Sequence, residues 1–421
     1  TVDWQTGSIK TATFTAANGE GYFCNTAGGA FEMDLPAGSA GAIVSVQDYN
    51  NTFDSNTLTV DPNGSEKING GDAGGPLELT AQGQGITLVY VDSTVGWRSV
   101  QENEYDTTGL NPALITATGG TPSCGTICGD YKIHTFTGPG TFCVSAGNGP
   151  IALAEYMVIA GGGGGGGGYG GGAGGGGFRY ASPSLAPVCY PGKPLTAPDG
   201  IIMTPGPYSV SVGGGGSGAT SNSANDGTKG VNSVFAATTT ITSAGGGVGA
   251  SHSPNCNVKG GSGGGGTVSG PAGPATGGVG NTPPVSPAQG TNGGDGYCGG
   301  DYGQGGGGGA IAVGVNGTAP AGGDGGEGAG IPTGFGSNGV PCGSYQYYAG
   351  GGGGGRYGPS GAGGGGGTGG KGGGGSAGQP SGVAGTTNTG GGGGAGNGRQ
   401  PCGHNGGNGG SGIVVIRYKF Q

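Results

Sequence analysis

Charge is scarce in this sequence. Only 8% of its residues are Asp, Glu, Lys or Arg, and just 13 of 421 are basic. No Lys/Arg cluster exists, so the electrostatic footprint of a nucleic-acid binder is missing. Long apolar runs are absent as well, since nothing approaches the roughly 18 consecutive apolar residues of a membrane span. No stretch repeats its apolar residues at the helical period, so essentially no α-helix is expected. Thr1-Val2-Asp3-Trp4 has neither a basic n-region nor an apolar h-region, and no signal peptide is expected from it. A leading Thr suits a chain trimmed of its initiator Met in a bacterial cytoplasm.

Glycine is there instead, 123 residues of it. It comes in runs, eight long at residues 161–168 and five or six long at 350–355, 363–367 and 390–394. Collagen needs glycine at every third position, and these runs break that period. Glycine has the most backbone freedom to lose on ordering, so a flexible coil is the simple alternative. Two observations oppose it. Too little charge is available to keep such a coil solvated. And strand-like runs bracket the segment, Ala154-Glu-Tyr-Met-Val-Ile159 before it and Ile413-Val-Val-Ile-Arg-Tyr418 after it.

Net negative charge is confined to the front. Up to Asp130 there are 15 acidic and 3 basic residues, and beyond it 7 acidic and 10 basic. The 9 cysteines are odd in number, so at least one lacks an intrachain partner. Cys124 and Cys128 are spaced neither as a redox pair nor as half of a complete zinc site. A structural disulfide between them, or plain buried thiols, fits better than a metal.

Residues 1–100 read as a small acidic β domain, sandwich-like or prism-like. Short β-rich runs at 11–15, 21–24, 31–35, 42–46, 57–60, 77–79, 86–91 and 96–100 are separated by turn signals. Residues 101–130 read as a linker. Residues 131–421 form a glycine-rich domain on a β base (131–160 and 412–421). In that base, 131–136 and 141–144 read as a hairpin, and 151–160 pairs with 412–420. Residues 208–212, 231–242 and 310–313 read as further strands within the glycine excursion.

One physical arrangement orders such an excursion (161–411). A polyproline II helix has three residues per turn and no internal hydrogen bonds. Without Cβ atoms, neighbouring helices of this kind pack closely and bond to one another on all sides, as a polyglycine II bundle. Ordering costs about 1–2 kcal/mol per residue, and each bond returns about 0.5–1.5 kcal/mol. The near-balance calls for a clamp, which the β base supplies. Interior helices should be almost pure glycine, with other residues at the surface or at turns.

Chemical motifs fail one by one. Polyglycine matches G-x-G-x-x-G by chance. Lys371 is followed by Gly372 where a P-loop needs Ser or Thr. Gly293-Gly-Asp-Gly296 and Gly322-Gly-Asp-Gly325 misplace the acid of a calcium repeat. His134, His252 and His404 stand far apart in sequence, and nothing favours a triad. No enzymatic activity, cofactor or metal is expected. The cluster Ser344-Tyr345-Gln346-Tyr347-Tyr348, with Arg356 and Tyr357 behind it and Phe178-Arg179-Tyr180 as a weaker counterpart, offers flat rings with few torsions to freeze. Such residues either contact a receptor or cap the edges of the lattice.

The order Phe136-Thr-Gly-Pro-Gly-Thr-Phe-Cys-Val144, Tyr156-Met-Val-Ile-Ala-Gly-Gly-Gly163, Tyr208-Ser-Val-Ser-Val-Gly-Gly-Gly-Gly216, Tyr348-Ala-Gly-Gly-Gly-Gly353 and Gly406-Gly-Asn-Gly-Gly-Ser-Gly-Ile-Val-Val-Ile-Arg-Tyr418 resembles the glycine-rich domain of phage tail-fibre and virion proteins. The front, with Asp3-Trp-Gln-Thr6, Gly19-Glu-Gly-Tyr-Phe23 and Leu88-Val-Tyr-Val-Asp92, resembles structural proteins of marine cyanophages. The resemblance implies a non-enzymatic virion part, often a homotrimeric fibre. Its partners would be itself, other virion proteins and a host receptor, a glycan or an outer-membrane protein. A capsid or neck decoration protein without a receptor is the alternative, and an ice-binding protein a more distant one.

Overall fold

The computed structural model describes residues 2–100, 113–149, 151–168, 170–185, 189–220, 227–251, 258–267, 276–298, 302–357, 365–398 and 404–421. Two compact units emerge, one made of Thr1–Ala113 with Asn148–Ile151, the other of Leu114–Gly147 with Ala152–Gln421. Among the described residues there is no α-helix, only short 3₁₀ turns such as Lys193–Leu195.

The first unit is a two-sheet coil. Strands Asp3–Trp4, Glu20–Cys24 and Ile43–Asp48 stack in parallel in one sheet, and Phe14–Thr15, Phe31–Asp34 and Leu58–Asp61 stack in parallel in the other. They alternate along the sequence, so the chain winds between the sheets three times. Antiparallel strands then close it: Leu77–Leu79 beside Leu58–Asp61, and Gly85–Asp92 with Gly96–Ser99 beside Ile43–Asp48. Period-two alternation sends Tyr22, Cys24, Val44, Val46, Ile86, Leu88 and Trp97 inward from one sheet. They meet Met33, Leu58, Val60, Leu77 and Leu79 from the other. All eight expected strands are present, and Asp3–Trp4 is an additional one.

The second unit begins inside the expected linker. Ala113–Thr118 and Thr126–Cys128 are strands, while residues 101–112 lie outside the described residues. A central sheet runs in the order Thr126–Cys128, Tyr131–Phe136, Ile413–Lys419, Leu153–Ile159, Phe178–Ala181, Thr196–Ala197. The expected pairing of the strand entering the glycine segment with the strand leaving it holds over six residue pairs, Ala154 opposite Tyr418 through Ile159 opposite Ile413. A five-stranded sheet of Ala113–Thr118, Gly140–Asn148, Gly206–Ser211, Ser233–Ala236 and Thr240–Ser243 covers one face. There Phe142, Val210 and Phe235 pack on Tyr156, Val158, Val414 and Ile416. On the other face Met157, Ile159, Phe178, Tyr180 and Val415 are covered by Tyr190, Ile331, Phe335 and Tyr348. Burial on both faces explains why these strands read as continuous apolar runs.

Three expectations need correcting here. Residues 131–136 and 141–144 are not a hairpin. They belong to the two facing sheets, and the chain crosses between layers with Phe136 and Phe142 both buried in the shared core. Residues 310–313 are not a strand, because Ala310 and Ala312 donate into the glycine lattice, to Ala349 and Glu327. Cys124 and Cys128 are neither bridged nor buried. Both are free, exposed thiols, Cys128 ending the edge strand and Cys124 in the turn before it.

Two polar features sit inside this base. Glu155 and Arg417 face each other across the two central strands and form a buried ion pair. Ser182 Oγ and Ser184 N–H donate to the carboxylate (3.1 and 2.8 Å), and the guanidinium lies 3.5 Å over the Tyr131 ring. His134 is fully buried, with Nδ1 2.7 Å from the Gly119 carbonyl oxygen and Nε2 3.1 Å from the Tyr418 hydroxyl.

From this base the glycine segments run out and back as extended, unpleated chains. Residues 161–168 show the bonding rule. N–H groups of Gly161 and Gly164 donate to Val231 and Thr228. Those of Gly162, Gly165 and Gly168 donate to Gly410, Gly407 and His404, and those of Gly163 and Gly166 to Gly174 and Gly171. Carbonyls of Gly161 and Gly164 accept from Gly246 and Gly249, those of Gly162 and Gly165 from Gly216 and Ala219, and those of Gly163 and Gly166 from Gly393 and Gly396. Each neighbour is thus engaged at every third residue, and six neighbours surround one segment. That is the polyglycine II arrangement, with three antiparallel and three parallel contacts. Segments 170–177, 350–355 and 390–396 repeat it.

Glycine is required there for space, not for dihedral freedom. A Cβ on Gly165 would fall on the carbonyl of Gly394, and one on Gly164 on that of Ser217. The expected purity holds in runs such as 161–168 and 350–355, whereas buried Ala173, Val248, Ala250, Ser262, Gln304 and Ala395 interrupt other segments. At the perimeter, short polar side chains stand in for missing neighbours. Asn232 Oδ1 accepts from Gly245 N–H (2.9 Å), Asn292 from Gly280 (2.9 Å), Asn316 from Asp295 (2.8 Å) and Asn408 from Gly218 (2.8 Å).

Two outcomes follow from this packing. Gly165→Ala should destabilise the second unit by about 1–3 kcal/mol or more, whereas Gly214→Ala, with nothing within 4 Å of its Cβ position, should cost nothing measurable; denaturant unfolding of both variants separates them. Burial, with Lys132 adding to it, holds the His134 imidazole below its ordinary value of 6.5 against the opposing Gly119 carbonyl. The unfolded chain therefore takes up more protons as pH falls below that value. Stability present above it should be lost on acidification, and His134→Gln should flatten that slope in a pH series of melting curves.

Candidate functional site

The tyrosines expected to contact a receptor divide between the two ends of the lattice. Tyr345–Tyr348 is the middle strand of a three-stranded sheet with Ala329–Pro332 and Val340–Cys342 at the base end. Tyr348 is fully buried against the central sheet, Tyr347 is nearly so, with the Lys371 ammonium 5.7 Å from its ring, and Tyr345 is half-buried. Phe178 and Tyr180 are buried in the central sheet itself, Tyr180 sharing a 3.0 Å hydroxyl contact with Tyr190. Half-buried Arg179 lies opposite Val158 and hydrogen-bonds Tyr156. Phe178, Tyr180 and Tyr348 therefore cannot serve as contacts. The central sheet has two apolar faces to cover; Phe178 and Tyr180 belong to one of them, and Tyr348 helps to cover it.

Arg356 and Tyr357 are placed differently. The run 350–355 carries the chain away from the base by about 3.1 Å per residue, so that Gly355 donates to Gly170, at the turn between the first two segments. There Arg356–Tyr357 pairs with Tyr302–Gly303, and the Tyr302 and Tyr357 rings stack at 5.6 Å and 30°. Tyr297 N–H donates to Gly303 (2.8 Å), and its side chain is 41% exposed. Asn397 Oδ1 accepts from Arg356 N–H (3.1 Å), and Gly398 N–H donates to the Arg356 carbonyl (3.0 Å). Tyr297, Tyr302, Arg356, Tyr357 and Asn397 thus gather at the far end of the lattice. Flat rings, a guanidinium and an amide bind by stacking and hydrogen bonding. Tyr297 and Tyr302 escaped the sequence reading because each is a single tyrosine in glycine-rich chain. Only the lattice brings them to Arg356.

A second constellation lies in the first unit. Parallel register sets Asp34 beside Asp61 on the outward side of their sheet, and the ligand oxygens of Glu32, Asp34 and Asp61 all lie within 4.8 Å of one another. Oxygen donors so grouped could hold a hard divalent cation. Partial burial, and then the neighbouring carboxylates, push the Glu32 and Asp61 carboxyls above their ordinary range. A carboxyl raised in the folded state contributes stability at low pH that is lost as pH rises through its folded value. Asp61→Asn should therefore melt above the unmodified protein at pH 7, and the gap should close near pH 4.

Among the described residues no helix is long and apolar enough to cross a membrane. No curated protein matches this sequence. Residues 135–419, spanning the β base and the whole lattice, match the family model described as Glycine-rich domain, and the chain belongs to that family.

Proposed function

We propose that this protein is a structural component of a phage virion, a tail fibre or fibre-like appendage, whose lattice end contacts the host cell. One observation carries the reading: a body held by backbone bonds, clamped at one end by a sheet, gathers aromatic and cationic side chains at its other end. Low charge and close packing suit a passive spacer, and the tyrosine–arginine group suits adhesion. The ordered motifs resembling phage glycine-rich domains supply the virion context. In this reading the chain assembles in the bacterial cytoplasm, the first unit serves self-association, as a homotrimer, or docking to other virion proteins, and the receptor is a glycan or an outer-membrane protein.

Particles carrying Tyr302→Ala, Arg356→Ala and Tyr357→Ala together should assemble normally and adsorb to host cells at least about tenfold more slowly. Normal adsorption by particles lacking the protein altogether would remove the attachment role and favour a decoration role on the capsid or neck.

A further inference from the structure

The outward face of the five-stranded sheet in the first unit carries a row of aromatic rings. Phe23 alternates with the core residues Tyr22 and Cys24, so it points away from the core. Trp4 lies across Gly21, where a methyl group would meet the indole at 2.8 Å. Trp4 and Phe23 are 5.0 Å apart at 37°, and Phe23 and Tyr49 are 6.5 Å apart at 73°. The Tyr49 N–H donates to the Cys24 carbonyl at 2.9 Å, which fixes Tyr49 beside Phe23. The three rings come from three successive windings and form one strip. Trp4 is 39% and Tyr49 54% exposed, whereas Trp97, the other tryptophan, is fully buried.

We propose that this strip is a stacking platform for an uncharged polysaccharide. Sugar rings present C–H faces that pack on aromatic faces, and successive sugars need successive rings. The Gln5 amide and the Asp3 carboxylate, 3.3 Å apart next to Trp4, supply polar partners for hydroxyl groups. Charge selects the ligand. With 15 acidic residues against 3 basic up to Asp130, this region repels sulfated, phosphorylated and uronate polymers as it repels nucleic acid. A folded protein partner fits less well. Stable interfaces bury about 800 Å² per partner, and three part-buried rings flanked by polar side chains fall short of that. The site lies wholly within the first unit and shares no residue with the tyrosine–arginine group of the lattice.

The full chain, titrated with laminarin, dextran, mannan and cellohexaose, tests the proposal through its tryptophan emission. Trp4 is the exposed indole, so binding of at least one of these should shift emission to the blue and protect against acrylamide quenching. Heparin should do neither. In affinity electrophoresis Trp4→Ala and Tyr49→Ala should each weaken binding about tenfold or more, with Val313→Ala, an exposed side chain of the second unit, unchanged. Silence of the emission with all four glycans at millimolar concentration, or wild-type binding by Trp4→Ala, overturns it. So does light scattering that finds an oligomer in the wild type and a monomer in Trp4→Ala, which would make the strip a contact between copies.

Discussion

Hydrogen bonds between backbone groups of different segments, at every third residue and in every lateral direction, are what the second unit depends on. In a helix or a sheet the backbone bonds in one direction and side chains fill the rest. Here the backbone bonds in six directions, and at most positions a side chain would be in the way. A segment such as 161–168, fully buried without one side-chain carbon, is stable only because its neighbours are already in place. Each bond contributes little against the entropy of fixing glycine, so the arrangement must be cooperative and anchored.

The anchor is the central sheet. Its strands Leu153–Ile159, Phe178–Ala181 and Ile413–Lys419 continue directly into or out of segments 161–168, 170–177 and 404–412. Strands paired in the sheet become neighbours in the lattice. Gly163 bonds Gly174 just past one strand pair, and Gly162 bonds Gly410 just past another. The buried Glu155–Arg417 pair lies across that second pair of strands. A misaligned register there would strand a charge in the core, a far larger penalty than one lost glycine contact.

The sequence declared some of this and hid the rest. The unbroken run at 161–168, with so little charge around it, pointed to backbone packing, and the flanking apolar runs pointed to a shared sheet. Alternation located the strands of the first unit, but it is the same for parallel and antiparallel pairing. The three-fold winding that groups Glu32, Asp34 and Asp61 was therefore hidden. Tyr348 was misread because a tyrosine next to a glycine run resembles a loop residue, while its burial depends on a sheet face contributed by residues far away in sequence. Tyr297 and Tyr302 join Arg356 through lattice neighbours, and such a lattice leaves no local motif.

Bond direction has a mechanical consequence. Bonds between the segments lie across the segment axis, and out-and-back chains share them along their whole length. A pull along that axis loads many of them in shear together, whereas a peeling force would break them singly. Segments bonded this way resist tension in proportion to the length over which they lie side by side.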